Sequence, residues 1–108
     1  MVTLIQGDSY QIPVRIEQDG VLLSPEMVDD LELIIPDVLS RRMTTGGLSY
    51  HEDDGMWYFR PTQQETLSAS TGTYDVGIRA KYKDVPPSTK VHVIAKIRIQ
   101  AGPFQEAI

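Results

Sequence analysis

The sequence predicts an all-β protein, an antiparallel sandwich of about seven to nine short strands. Three observations lead to that class. Apolar residues recur with a period of two almost throughout, the pattern of half-buried strands. Turn-forming residues interrupt this alternation at short intervals. No stretch sustains the 3.6-residue period of a helix.

The elements follow in order. Val2 to Gln6 reads as a short strand, and Gly7-Asp8 as a kink or bulge after it. Tyr10, Ile12, Val14 and Ile16 then alternate with Gln11, Pro13, Arg15 and Glu17. Pro13 lacks an N–H, which places this strand at a sheet edge. Asp19-Gly20 is a tight hairpin turn into Val21-Leu22-Leu23. Ser24-Pro25-Glu26-Met27 reads as one helical turn, with Ser24 as cap and Pro25 in the first helical position. Leu31, Leu33 and Ile35 alternate until Pro36. Val38 to Met43 is either a further strand or an irregular crossing, and Thr44-Thr45-Gly46-Gly47 is a loop.

Leu48–Glu52 and Met56–Arg60 are two strands joined at Asp53-Asp54-Gly55. Trp57 and Phe59 share one face and bring about 150–250 Å² each, so they form the predicted centre of the core. Thr62-Gln63-Gln64-Glu65 has the spacing of a capping box and predicts one helical turn. Tyr74, Val76, Ile78, Ala80 and Tyr82 line one face of the next strand. The last strand, Lys90 to Gln100, places Val91, Val93, Ala95, Ile97 and Ile99 on a single face and pairs with the Tyr74 strand. Residues 1–100 thus form one domain, and residues 101–108 a tail.

Composition narrows the possible roles. A chain of 108 residues with 41% apolar and 23% charged residues suits one soluble globular domain rather than a disordered segment. The net charge of −5 is spread along the chain and disfavours nucleic acid and acidic membranes as partners. No apolar run reaches the roughly 20 residues of a membrane span. Met1-Val2-Thr3-Leu4-Ile5 does not read as a secretory leader, and no cysteine is available for a disulfide, so synthesis in a reducing cytoplasm is expected.

Residues able to carry chemistry are few. His51 and His92 both fall on the outward set of their strands, and no pair of histidines has ligand spacing. Glu52-Asp53-Asp54 offers oxygen ligands for calcium, but Asp-Asp-Gly is more simply a hairpin turn. Asp29-Asp30 has the same plain reading, Arg41-Arg42 is too small a basic cluster for nucleic acid, and Gly46-Gly47 lacks the context of a phosphate loop. No catalytic, metal or cofactor residues are therefore assigned. Association has more support. Ile34 and Ile94 fall opposite their strands' core faces, and Phe104 and Ile108 in the tail can fold back or dock on a neighbouring subunit. Pro86-Pro87 stiffens the last long loop.

Leu67-Ser68-Ala69-Ser70-Thr71-Gly72-Thr73-Tyr74 resembles the tyrosine corner of immunoglobulin-like sandwiches. In that motif the ring packs under the bend and its hydroxyl bonds an upstream backbone group. The opening of the chain adds a second likeness. A short strand, Gln6-Gly7-Asp8-Ser9-Tyr10, an alternating strand, Asp19-Gly20 and Val21-Leu22-Leu23 together are similar to the start of phage baseplate upper protein N-terminal domains. Those domains carry a late Gly-x-Tyr strand, matched here by Gly72-Thr73-Tyr74, and the likeness covers roughly residues 3 to 100. The resemblance implies an immunoglobulin-like fold and a non-enzymatic phage or prophage tail or baseplate part. Such a part is assembled in the bacterial cytoplasm into the virion, as a homo-oligomer in contact with other tail proteins. The alternatives are a carbohydrate-binding or an adhesion sandwich. Exposed aromatics would mark the carbohydrate reading, with Tyr50, Tyr58 and Phe104 as its candidates.

Overall fold

A computed structural model describes residues 1–108. The protein is all-β apart from a 3-10 turn at Pro25–Met27 and one short helix, α1 (Gln63–Ser68). Its strands are β1 (Val2–Ile5), β2 (Ile12–Val14), β3 (Glu17–Gln18), β4 (Val21–Leu22), β5 (Val28–Ile35), β6 (Leu39–Arg42), β7 (Ser49–His51), β8 (Met56–Phe59), β9 (Gly72–Tyr82) and β10 (Ser88–Gln100). They form a five-stranded sheet in the order β1-β10-β9-β5-β6, a three-stranded sheet in the order β2-β8-β7, and the small β3-β4 ribbon.

Turn chemistry explains much of this layout. Asp19 and Gly20 both take positive φ, +51° and +81°, as the two-residue turn joining β3 to β4 requires. Asp37 (φ +66°) closes the turn between β5 and β6, where the Val38 N–H donates to the Ile35 carbonyl at 2.9 Å. The ambiguous stretch after Pro36 is thus a strand, pairing Leu39 with Ile35 and Arg41 with Leu33. β2 lies at the edge of its sheet, where the missing N–H of Pro13 costs no ladder bond. The capping box of α1 is complete: Thr62 Oγ1 accepts from the Glu65 N–H, and a Glu65 carboxylate oxygen accepts from the Thr62 N–H. Ser24 differs from expectation. Its side chain caps nothing, and the turn is closed instead by the Met27 N–H on the Ser24 carbonyl.

One apolar cluster joins the two larger sheets. β2 and β8 contribute Ile12, Val14, Trp57 and Phe59, while β5 and β9 contribute Leu31, Leu33, Ile35, Val76, Ile78 and Ala80. Trp57 is entirely shielded, and its indole N–H donates to the Leu23 carbonyl at 2.9 Å. That bond removes the penalty of burying a polar N–H among aliphatic side chains. Tyr74 is half-buried against the core, and its hydroxyl donates to the carbonyl of Ser70, four residues upstream. Gly72 between them has φ +150°.

Two expected faces are corrected. Tyr10 is exposed, because β2 begins only at Ile12 and the alternation does not extend back to residue 10. β10 does not keep one parity. β9 fixes its own even-numbered residues inward, and the pairs His92–Ile78 and Val93–Gly77 therefore turn Val91 and Val93 outward. An extra residue, Ile94, lies between Val93 (opposite Gly77) and Ala95 (opposite Val76), and this bulge switches the inward set to Ile97 and Ile99.

The body is elongated, 50 × 24 × 23 Å, with a radius of gyration of 14.6 Å against the about 13 Å typical of this length. Stagger in the five-stranded sheet produces this. β1 pairs in parallel with only the last four residues of β10, whereas β5 lies beside the far half of β9.

Replacing Trp57 with Ala is expected to lower stability by about 3–5 kcal/mol, because it empties the largest filled site between the sheets. Tyr74→Phe should lose about 0.5–1.5 kcal/mol, the net worth of one hydrogen bond. Urea unfolding followed by circular dichroism reads both, and an unchanged midpoint for Trp57→Ala would contradict its central position.

Candidate functional site

Two of the acidic residues that could carry chemistry, Asp54 and Asp30, are held by local structure. Asp54 accepts from the Met56 N–H at 2.8 Å and from the Tyr58 hydroxyl, so the acidic hairpin holds itself in shape. The bond to Tyr58, then the Met56 N–H, keeps the Asp54 carboxyl below its usual range, and the same bond pushes the Tyr58 hydroxyl up. Asp30 accepts from the Leu31 N–H at 2.8 Å, Arg42 Nε at 3.0 Å and the Thr44 N–H at 3.3 Å. Burial works against ionisation, yet these donors outweigh it and hold the group below the ordinary carboxylate range. No three His, Asp or Glu side chains converge in a geometry that could hold a metal ion.

The two histidines differ. His51 lies outward as expected and stacks on Tyr58, with ring centroids 4.0 Å apart and planes inclined by 26°. His92 departs from expectation. It precedes the bulge on the inward parity, opposite Ile78, and its Nε2 is buried with no hydrogen-bond partner. The aromatics named for sugar stacking are also largely engaged: Tyr50 leans on Trp57 at 5.2 Å, and Tyr58 is covered by His51. Phe104 alone stands open, with 74% of its surface exposed.

Polar side chains clasp α1 to the rest of the fold. The buried Thr66 hydroxyl accepts from the Gly7 N–H at 3.0 Å and donates to the Asp8 carbonyl at 2.9 Å. Gln6 Nε2 donates to the Ala69 carbonyl at 2.8 Å, beside that contact. On the other side, both terminal nitrogens of Arg41 reach the Glu65 carboxylate, and Arg41 also donates to the Arg60 carbonyl. This pair ties β6 to α1. It answers the sequence reading of Arg41-Arg42: each arginine already has a carboxylate partner, Arg42 with Asp30.

The association candidates separate into three groups. Ile34 is 45% exposed on the outer face of the five-stranded sheet, with its side chain 3.5 Å from the position a Cβ would take on Gly77. Gly77 in turn pairs with Val93, so Ile34, Gly77 and Val93 form one row across β5, β9 and β10. Ile94 is corrected: the bulge turns it toward the core, where it is half-buried. Val91 and Val93, which the unbroken alternation of β10 assigned to the core, take its place at 72% and 66% exposure. The adjacent apolar pair Val93-Ile94 was the visible sign of the change in parity.

The tail folds back on the domain. It passes so close to β1 that a Cβ on Gly102 would stand 2.8 Å from the Gln6 carbonyl oxygen and from Ile5 Cγ2. The Ile108 N–H then donates to Gln63 Oε1 at 3.2 Å, with the Ile108 side chain fully in solvent. A groove of about 790 Å³ opens between β2 and β10, lined by Ile12, Val14, Phe59, Val93, Ile94 and Ile97 among others.

No protein-family model matches the chain, nor does any curated protein or solved structure.

Burial raises the proton affinity of Glu65, but the bonds from Arg41 and Thr62 outweigh it and hold the carboxyl below the 4.5 of the free group. A lowered folded value means a contribution to stability that is complete above the unfolded value and lost as pH falls through the folded one. Wild-type protein should therefore lose more stability between about pH 5 and pH 3 than Glu65→Gln does. At neutral pH the Gln variant should be weaker by about 1–2 kcal/mol. Urea titrations across that range test both, and parallel curves for the two proteins would count against the clasp.

Proposed function

We propose that this chain is an immunoglobulin-like sandwich serving as a non-enzymatic structural module of a phage or prophage tail or baseplate. It is made in the bacterial cytoplasm and works in the virion through contacts with further copies and with other tail proteins. The sandwich reading is supported by the bond from Tyr74 to Ser70 at the foot of β9 and by a core shared between two sheets. The functional reading is carried by one observation above the others. Asp30, Arg41, Asp54, Glu65 and Thr66 are spent on turns and clasps, while Ile34, Val91 and Val93 stand uncovered on the outer sheet face. Contiguous exposed apolar side chains mark protein contacts more often than chemistry. The tail-module assignment rests on the likeness of residues 3 to 100 to baseplate upper protein domains.

Co-expression with the proteins encoded beside this chain tests the proposal. The expected outcome is co-elution in a particle far heavier than the 12.1 kDa chain, with a contact burying roughly 800 Å² or more per partner. Specific binding on a glycan array, with no co-elution, would overturn it in favour of a carbohydrate-binding module.

A further inference from the structure

We infer that the free edge of β10, from Ser88 to Ile94, pairs antiparallel with the same edge of a second copy, about a twofold axis at Val91. The inference rests on the contact-forming role proposed above and names the surface and the occupant.

The edge is open for a topological reason. β9 lies on one side of β10, and on the other β1 joins only at Ile97. The outward-pointing N–H and C=O groups from Ser88 to Ile94 thus face no strand of their own chain. Proteins normally blunt such edges with proline, charge or a covering segment. This stretch contains no proline, and its lysine is turned aside, with Lys90 Nζ 5.7 Å from the centre of the Tyr82 ring. What remains on the outer face is Thr89, Val91 and Val93.

Self-pairing follows from the order of those residues. A twofold at Val91 sets Val91 against the partner's Val91, and Thr89 against the partner's Val93. β-branched pairs of this kind suit a pleated surface. On the inner face Lys90 meets the partner's His92, and Ser88 meets the partner's Ile94. Moving the axis to Lys90 would oppose two ammonium groups, and moving it to His92 would run the pairing through the bulge at Ile94. Of these three registers only that at Val91 sets an apolar pair on the axis and leaves the bulge at Ile94 to the outermost pair of the seam. Beyond the seam the outer rows remain compatible, since Val91 is flanked by Arg79, which is already paired with Glu32. The product is a continuous sheet running β6-β5-β9-β10 in each copy.

The chain has no cysteine, so single-cysteine variants report the seam without background. At the axis the two Cβ atoms of Val91→Cys would lie about 4.5–5.5 Å apart, near the span of a disulfide. Mild oxidation should link Val91→Cys into a covalent dimer at least about tenfold faster than Val85→Cys, placed in an exposed loop. Light scattering should show wild-type dimers, weakened about tenfold or more by Val91→Lys, which opposes two charges at the axis. At concentrations low enough for both proteins to be monomeric, its outward position should leave the melting midpoint unchanged. Equal cross-linking at positions 91 and 85, or a Val91→Lys dimer as stable as wild type, would overturn the inference. Co-elution with tail proteins despite either result leaves the proposed function standing. Cross-linking at Val91 without co-elution removes the tail-module reading and retains the edge pairing.

Discussion

The central strand β9 is the constraint on which the rest depends. Its even-numbered residues Val76, Ile78, Ala80 and Tyr82 are buried, and it is hydrogen-bonded on both flanks from Gly77 to Tyr82. A strand held on both sides with one apolar face has a single tolerable register, because a one-residue slip would expose every core side chain. Its neighbours inherit that register. β5 buries Leu31 and Leu33 because they lie opposite Ala80 and Ile78, and β10 turns Val91 outward because it lies opposite Arg79. The exposed apolar row is thus a by-product of satisfying β9 first.

The three-stranded sheet is anchored differently. Trp57 fills the space between sheets and ties its indole N–H to Leu23, just beyond the β3-β4 ribbon. Tyr82 reaches the same ribbon from β9, donating to Gln18 Oε1 at 2.8 Å. The small hairpin is therefore held from both sheets by one aromatic polar bond each. Clasps at Arg41–Glu65 and Thr66–Gly7 do the same for α1. Without a cysteine in the chain, such bonds take over the work of joining distant segments.

Much of this architecture was legible in the sequence because its signals are local. Asp19-Gly20, the Thr62–Glu65 capping box, Pro13 at an edge and the Trp57-Phe59 pair each state their structure within a few residues. The corrections fall where a distant partner decides. Val91, Val93, Ala95, Ile97 and Ile99 alternate without a break, and the adjacent pair Val93-Ile94 is the one local sign of the bulge that β10 makes against β9. Tyr10 and His92 fail for related reasons, one because its strand starts later, the other because parity is set across the sheet. The candidate surface was therefore half visible: Ile34 was readable from its own strand, whereas Val91 and Val93 required the pairing.

The parallel join of β1 to β10 has a mechanical consequence. Val2 sits opposite Ile97 and Ile5 opposite Gln100, so tension applied at Met1 and Ala101 draws the two strands lengthwise in opposite directions. Their hydrogen bonds then bear load together, in shear, instead of opening one after another like a zip. A chain strung between two neighbours would resist extension at this short seam long before its core was disturbed.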